Sequence, residues 1–401
     1  MRNTPRNVLV VGGGYAGVLA ANRLAHRLPK GARVTLLSDR DDLVHRVRLH
    51  EALAGRPFGH YPLRAMLAPR VAIVRGRADR LDARARRVVT DRGETLPYDF
   101  ALLAIGSSLA TDVAGVRAHA AGLASPESAA RGAARLRELA PGSCVTVVGG
   151  SFTAIEAASE IAEAHPHLAV TLLASTFGPA FSERARDHAR ESLEALGVRV
   201  REGDAVREVC DDAVVLCSGE RVPSGMTVWG GGFKPAGPNL ATDLARDGFG
   251  RLVIDGDLRA VGHDDVFVAG DAAAPPPGMS FLRMGCASAM PMGAHAADNL
   301  ARVARGEDTT AHRFAFVTRC TSFGRERALV ESVRPDDVPD GRIVTGRTGA
   351  LIKELICRFV IGMIRAERWV AGAYQWPRAL RAELPPRLGV GGTTGALRGE
   401  A

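Results

Sequence analysis

The sequence has little lysine. Of 52 basic residues in 401, only Lys30, Lys234 and Lys353 are lysine, and the rest are arginine. So strong a bias reflects genomic base composition, which makes the net charge of +8 weak ground for a nucleic-acid or membrane partner. Cysteine is sparse in pattern too. Cys144, Cys210, Cys217, Cys286, Cys320 and Cys357 form neither C-x-x-C nor C-x-x-x-x-C. That spacing writes no zinc site and no redox-active disulfide, and a reducing cytoplasm fits it best. Long apolar runs are missing as well. The longest candidate, residues 359–364, falls far short of the ~20 residues a spanning helix needs. The first strand-like run begins at Asn7, which leaves no room for a signal peptide. Secreted, transmembrane and disulfide-scaffold classes are therefore set aside.

What is present suffices for two or three cored domains: 46% of residues are hydrophobic and 24% charged. An internal repeat organises them. Residues 7–21 read NVLVVGGGYAGVLAA and residues 144–158 read CVTVVGGSFTAIEAA. Each is an apolar strand, a glycine turn and an Ala-rich helix. A second strand follows each, at 32–37 and 168–174. The pattern is βαβ, which favours a parallel sheet.

The first copy is Gly12-x-Gly14-x-x-Gly17, with Tyr15 and Ala16 opening the helix. Gly12 permits the tight turn, Gly14 lets backbone approach a pyrophosphate, and Gly17 lets helix pack on strand. The helix N-terminus offers free N–H groups to the phosphates. Asp39 stands where an acid would hold a ribose, and it reads equally as a solvated loop residue. The second copy is looser: Gly149, Gly150, Ser151, Phe152 and Ala154. Its second strand ends in Ala174-Ser175-Thr176, with no carboxylate to repel a 2′-phosphate, a lean towards NADPH. A third signal is a short strand ending in Gly270-Asp271, whose carboxylate can bind a hydroxyl chain. A helix is expected from Cys286 to Arg302, its N-terminus suited to an anion.

In order, the chain runs glycine turn, Tyr98 to Ser107 with Gly106, glycine turn, Val228-Trp229-Gly230-Gly231-Gly232, then Gly270-Asp271. Over residues 7–375 this resembles the FAD-dependent pyridine-nucleotide oxidoreductases. Within them it looks most like the type II NADH:quinone oxidoreductases. The resemblance implies an α/β fold with two Rossmann-like domains, glutathione-reductase-like, plus a small C-terminal α+β domain. It implies that Gly12, Gly14, Gly17 and Asp271 bind FAD, with Asp271 on the ribityl chain. It implies that the unit from Gly149 to Glu156 binds NAD(P)H. Tyr15, Ala16, Asp39, Gly106, Gly270 and Met292 are expected to complete the FAD site. Ser151, Phe152, Ser175 and Gly231 are expected to complete the nucleotide site. A glutamate stands beside nicotinamide and flavin in these relatives where Glu156 stands here; an acid is also simply favoured in a first helical turn.

The segment Leu43-Val44-His45-Arg46-Val47-Arg48-Leu49-His50-Glu51 lacks the cysteine pair of disulfide-reducing relatives. The resemblance places it against the flavin ring, where Arg48 would stabilise a reduced flavin anion and His50 transfer a proton. The plainer reading is a basic surface helix. Many respiratory members carry two glutamines after Gly270-Asp271; here the residues are Ala289-Met290-Pro291-Met292-Gly293.

Residues 349–369 have helical spacing. Leu351, Ile352, Leu355, Ile356, Phe359, Val360, Met363 and Ile364 form one broad apolar face, with Lys353, Glu354, Arg358, Arg365 and Arg368 on the other. Such a helix docks on its own protein or lies in a membrane interface, and both stay open. The domains expected are a discontinuous FAD domain (1–110 and 247–310), an NAD(P) domain (111–246), a C-terminal domain (311–384) and a disordered tail (385–401).

The expected activity is an FAD-dependent NAD(P)H oxidoreductase passing electrons to a quinone or another small acceptor. A soluble flavoprotein acting on an aromatic metabolite or carrier protein, and a nucleotide sensor, are the alternatives. The partners expected are that acceptor, a membrane surface through 349–369 and a second copy of the chain. No nucleic acid and no metal are expected. The location expected is cytoplasmic, on the inner face of the membrane.

Overall fold

Two runs of strand, glycine turn and Ala-rich helix build two similar parallel sheets in the computed structural model, which describes residues 7–378. The first sheet orders its strands 266–268, 100–103, 7–11, 33–38 and 71–75, all parallel. The second orders 199–202, 169–174, 144–148, 226–229 and 120–122, again all parallel. In each, the strand of the glycine motif is central. The chain moves outward from it on one side, then returns to its other side. That reversal is a topological switch point, where a crevice opens beyond the strand ends.

Helix α1 (Tyr15–Arg27) covers the first sheet and α2 (Phe152–Ala164) the second. Both are rich in Ala, a strong helix former whose small side chain permits close packing. Helix α3 (Cys286–Ala304) lies against α1. The approach is close: a Cβ on Gly293 would fall 2.4 Å from the Ala16 carbonyl oxygen. Strands 318–322, 328–333 and 339–344 form an antiparallel sheet, and α4 (Gly346–Glu367) packs on its middle strand.

A clamp fixes α4 to the first domain. Arg23 of α1 is buried and donates to both carboxylate oxygens of Glu367, at 2.7 and 3.1 Å, and to Asp298 of α3 at 3.0 Å. The Tyr374 carbonyl accepts a further bond from it.

The face assignment of α4 needs correction. Lys353, Cys357, Val360, Ile361 and Ile364 face inward, while Leu351, Leu355 and Phe359 are 60, 57 and 51% exposed. The apolar residues cover more than half the circumference, so hydropathy alone could not say which part docks. Lys353, expected on the solvent side, is buried. The expected disordered tail lies outside the described residues.

Candidate functional site

The glycine positions are dictated by close approach. Gly12 has φ +114°, and a Cβ there would sit 2.2 Å from the Ala104 carbonyl oxygen, across the first switch point. A Cβ on Gly17 would meet the Gly12 carbonyl oxygen at 1.9 Å. Gly14 differs: no heavy atom lies within 4 Å of its Cβ position. At the N-terminus of α1 the turn thus presents bare backbone to open space, the surface a pyrophosphate needs. The second unit repeats the logic. Gly149, at φ +132°, lies against the Gly230 carbonyl, and a Cβ on Gly150 would fall 1.8 Å from the Thr176 carbonyl oxygen. Ser151 is the exposed N-cap of α2 and makes no side-chain cap bond. Ser175 is exposed at the end of its strand, Asp39 at the end of its own, and exposed Gly231 packs beside the Trp229 ring.

Between the units lies a cavity of about 380 Å³. Gly14, Tyr15, Ala16, Gly106, Gly270 and Asp271 reach it from the first domain, and Phe152 and Glu156 from the second. The Asp271 carboxylate is anchored at the cavity wall. Its Oδ1 accepts from the Gly285 N–H at 2.9 Å and its Oδ2 from the Ser107 hydroxyl at 2.7 Å. Bare backbone at Gly14 and a carboxylate further along one wall fit the pyrophosphate and polyol of FAD. Met292 is not part of this wall; it is buried in the core around the first sheet. It lies beyond the first turn of α3, whose cavity-lining residues end at Ala289.

The segment after the second strand is no surface helix, which corrects the plainer reading. His45 and His50 are 1 and 3% exposed, and Arg46, Val47, Leu49 and His50 line the cavity. Leu49 and Leu53 join the core of the second domain, and that burial rolls the segment inward. Tyr15 Oη and His45 Nδ1 are 3.0 Å apart. Burial, then the nearby Arg48 charge, pushes His45 down to about 4.

Arg48 does not reach the cavity. It pairs with Glu51 at 2.8 Å and with Glu354 of α4 at 2.6 Å. The cation beside Glu156 is Lys353 of α4 instead. Lys353 forms an ion pair with Glu156 and donates to the Ser322 hydroxyl at 3.0 Å. Glu156 also accepts from the Ser322 N–H at 3.2 Å. His50 Nδ1 stands 3.7 Å from the other Glu156 oxygen. Burial pushes Lys353 down to about 8, and burial with the Lys353, Arg325 and Arg48 charges holds His50 well below its ordinary value. Sequence reasoning grouped Glu156 with His50 but missed Lys353, 197 positions further along the chain. Its signal was there: a lysine in a chain with three, set among apolar residues.

The fold and the sequence both have relatives. A family model described as pyridine nucleotide-disulphide oxidoreductase matches residues 6–299. An NADH dehydrogenase-like protein of Mycobacterium tuberculosis is 31% identical over 318 residues, covering 73% of this chain and 79% of its own. A type II NADH:quinone oxidoreductase of Staphylococcus epidermidis is 27% identical over 401 residues, covering 89% and 95%. Among solved structures, the sulfide:quinone oxidoreductase of Aquifex aeolicus superposes with a TM-score of 0.78 at 21% identity, covering 90% of this chain and 92% of that one. The NDH2 of Plasmodium falciparum, solved with NADH, gives 0.71 at 13% identity, covering 91% and 99%. The chain belongs to the pyridine nucleotide-disulphide oxidoreductase family, is similar to the type II NADH:quinone oxidoreductases within it, and is an oxidoreductase that works with FAD and a nicotinamide nucleotide.

Proposed function

We propose that the enzyme oxidises NAD(P)H and reduces a quinone or quinone-like acceptor at the membrane surface. The observation that carries this is the meeting of the bare Gly14 turn, Asp271, Glu156 and Lys353 on one cavity. The redox chemistry is that of FAD, which when bound relays two electrons from nucleotide to acceptor. Residues 7–110 and 247–310 hold it, with the N-terminus of α1 on the pyrophosphate and Asp271 on the polyol. Residues 111–246 hold NAD(P)H, with the Gly149–Ser151 turn and the N-terminus of α2 on its phosphates. The described part of the C-terminal domain, residues 311–378, closes the acceptor side.

A quinone takes up two protons with its two electrons, so the acceptor side needs groups that move protons. Lys353, Glu156 and His50 are buried along one wall of the cavity, with Glu156 in reach of both others. Lys353 holds its proton below pH 8 and can release it inside the cavity. Glu156 neutralises the ammonium, and His50 stays a neutral acceptor.

The membrane contact is the outer face of α4. Leu351, Leu355 and Phe359 stand one turn apart, flanked by exposed Arg347, Arg358 and Arg365. An apolar row edged with arginine suits a bilayer interface with anionic lipid. Among the described residues no helix is long and apolar enough to cross a membrane. The nucleotide preference follows the end of strand 169–174, where Ser175 and Thr176 are exposed and no carboxylate stands. NADPH is therefore accepted alongside NADH.

The test is purification with bound FAD, followed by steady-state turnover of NADH and NADPH against quinones, ferricyanide and oxygen. Turnover on the order of 1 s⁻¹ or faster with a quinone is expected. Protein that carries FAD but reduces no quinone with either nucleotide defeats the acceptor assignment.

A further inference from the structure

Four cations line the cavity: Arg46, Arg283, Arg319 and Lys353. Three of them each have a carboxylate partner. Arg283 and Arg319 share Asp337, at 3.6 and 3.2 Å, and Lys353 pairs with Glu156. Arg46 is different. Its Nη1 donates to the Ser107 carbonyl at 3.1 Å and to the Ser107 hydroxyl at 3.2 Å, and its guanidinium stacks 5.0 Å above the Phe233 ring. All of these partners are neutral. Among the described residues Arg46 forms no ion pair, so its full charge is directed at the cavity. The nearest acid along its bonds is Asp271, and the Ser107 hydroxyl stands between them, accepting from Arg46 and donating to Asp271.

An uncompensated, half-buried guanidinium costs desolvation energy that an ion pair would offset. Here the fold holds it with hydrogen bonds and an aromatic face, which fix position without cancelling charge. Such a cation is preorganised for a negative charge that comes and goes. A cofactor that gains charge on reduction supplies one.

We propose that Arg46 is the residue that balances the charge FAD gains on reduction, and that Ser107 is the positioning residue that aims it. Arg48, the other arginine of the segment, is spent on Glu51 and Glu354 and does not set the potential. The proposal rests on the cavity holding FAD, and it goes further by naming which charge tunes it.

The test is the two-electron midpoint potential of bound FAD, by dye equilibration on the full-length protein. Removing the charge in Arg46→Met should shift the reduction equilibrium about tenfold towards oxidised FAD, about 30 mV more negative. Arg46→Lys keeps a charge and should recover most of that shift. Ser107→Ala, which leaves the guanidinium intact but loosens it, should move the potential in the same direction by less. Arg48→Met should leave it unchanged. A potential that stays put in both Arg46→Met and Ser107→Ala, or that moves instead in Arg48→Met, overturns the assignment. Should Arg46→Met not yield folded protein, the Ser107→Ala and Arg48→Met pair decides alone. Wild-type protein without FAD would defeat the cofactor reading itself, an outcome distinct from FAD-loaded protein with an unresponsive potential.

Discussion

At the residue scale, the three motif glycines are chemically alike but do different jobs. Gly17 is needed for packing, because any Cβ there collides with the Gly12 carbonyl. Gly14 faces open space, so the fold has no use for its bareness. Gly14→Val should therefore give folded protein lacking bound FAD, whereas Gly17→Val should fail to fold. Circular dichroism beside flavin absorbance separates the two. Normal FAD content in Gly14→Val would remove the turn from the cofactor site. Lys353 makes a second prediction. Its ammonium is the form that donates a proton, and with a value near 8 it is lost as pH rises through that point. Acceptor reduction should fall above about pH 8, and Lys353→Met should be slow at all pH values and lack that fall. A pH profile unchanged in Lys353→Met would take the lysine out of proton delivery. The glycines were legible because strand, turn and helix are neighbours in sequence. Lys353 was not, because tertiary folding alone brings α4 to the cavity; the resemblance placed the 43–51 segment there but picked Arg48 rather than Arg46.

At the element scale, α4 was recognised as a basic amphipathic helix, but not which stripe of it docks. The periodicity of residues 351–364 is compatible with several orientations. The Arg23–Glu367 clamp chooses one, and it lies outside any local pattern. Arg23→Ala would leave Glu367 buried without its cation, a loss of about 3–5 kcal/mol. Thermal denaturation should show a clear drop in midpoint, larger than for Arg48→Ala, whose partner Glu354 is partly solvated. The exposed stripe makes its own prediction. Leu355→Glu with Phe359→Glu should abolish co-flotation with anionic liposomes while leaving ferricyanide reduction intact. Wild-type protein that remains with the soluble fraction would refute the membrane contact.

At the scale of the whole molecule, two units of one topology meet at a shared cavity. The two units were visible in the sequence, because the repeat at 7–21 and 144–158 writes the same strand, turn and helix twice. How the third unit closes the cavity was not visible, since its strands and helix carry no motif. The charge distribution follows the same division. Among the described residues, 341–378 hold seven basic and two acidic residues, so most of the excess of +8 sits on the third unit rather than on the nucleotide-binding units. Helix α4 is at once a wall of the reaction chamber, through Lys353, Cys357 and Val360, and the outer skin, through Leu351, Leu355 and Phe359. On the proposed reading, where the enzyme docks and what it reduces are therefore inherited together. Drift or transplantation of this one segment would re-address the enzyme and retrain its appetite for oxidants in a single step, while the half that consumes the nucleotide carried on unaltered.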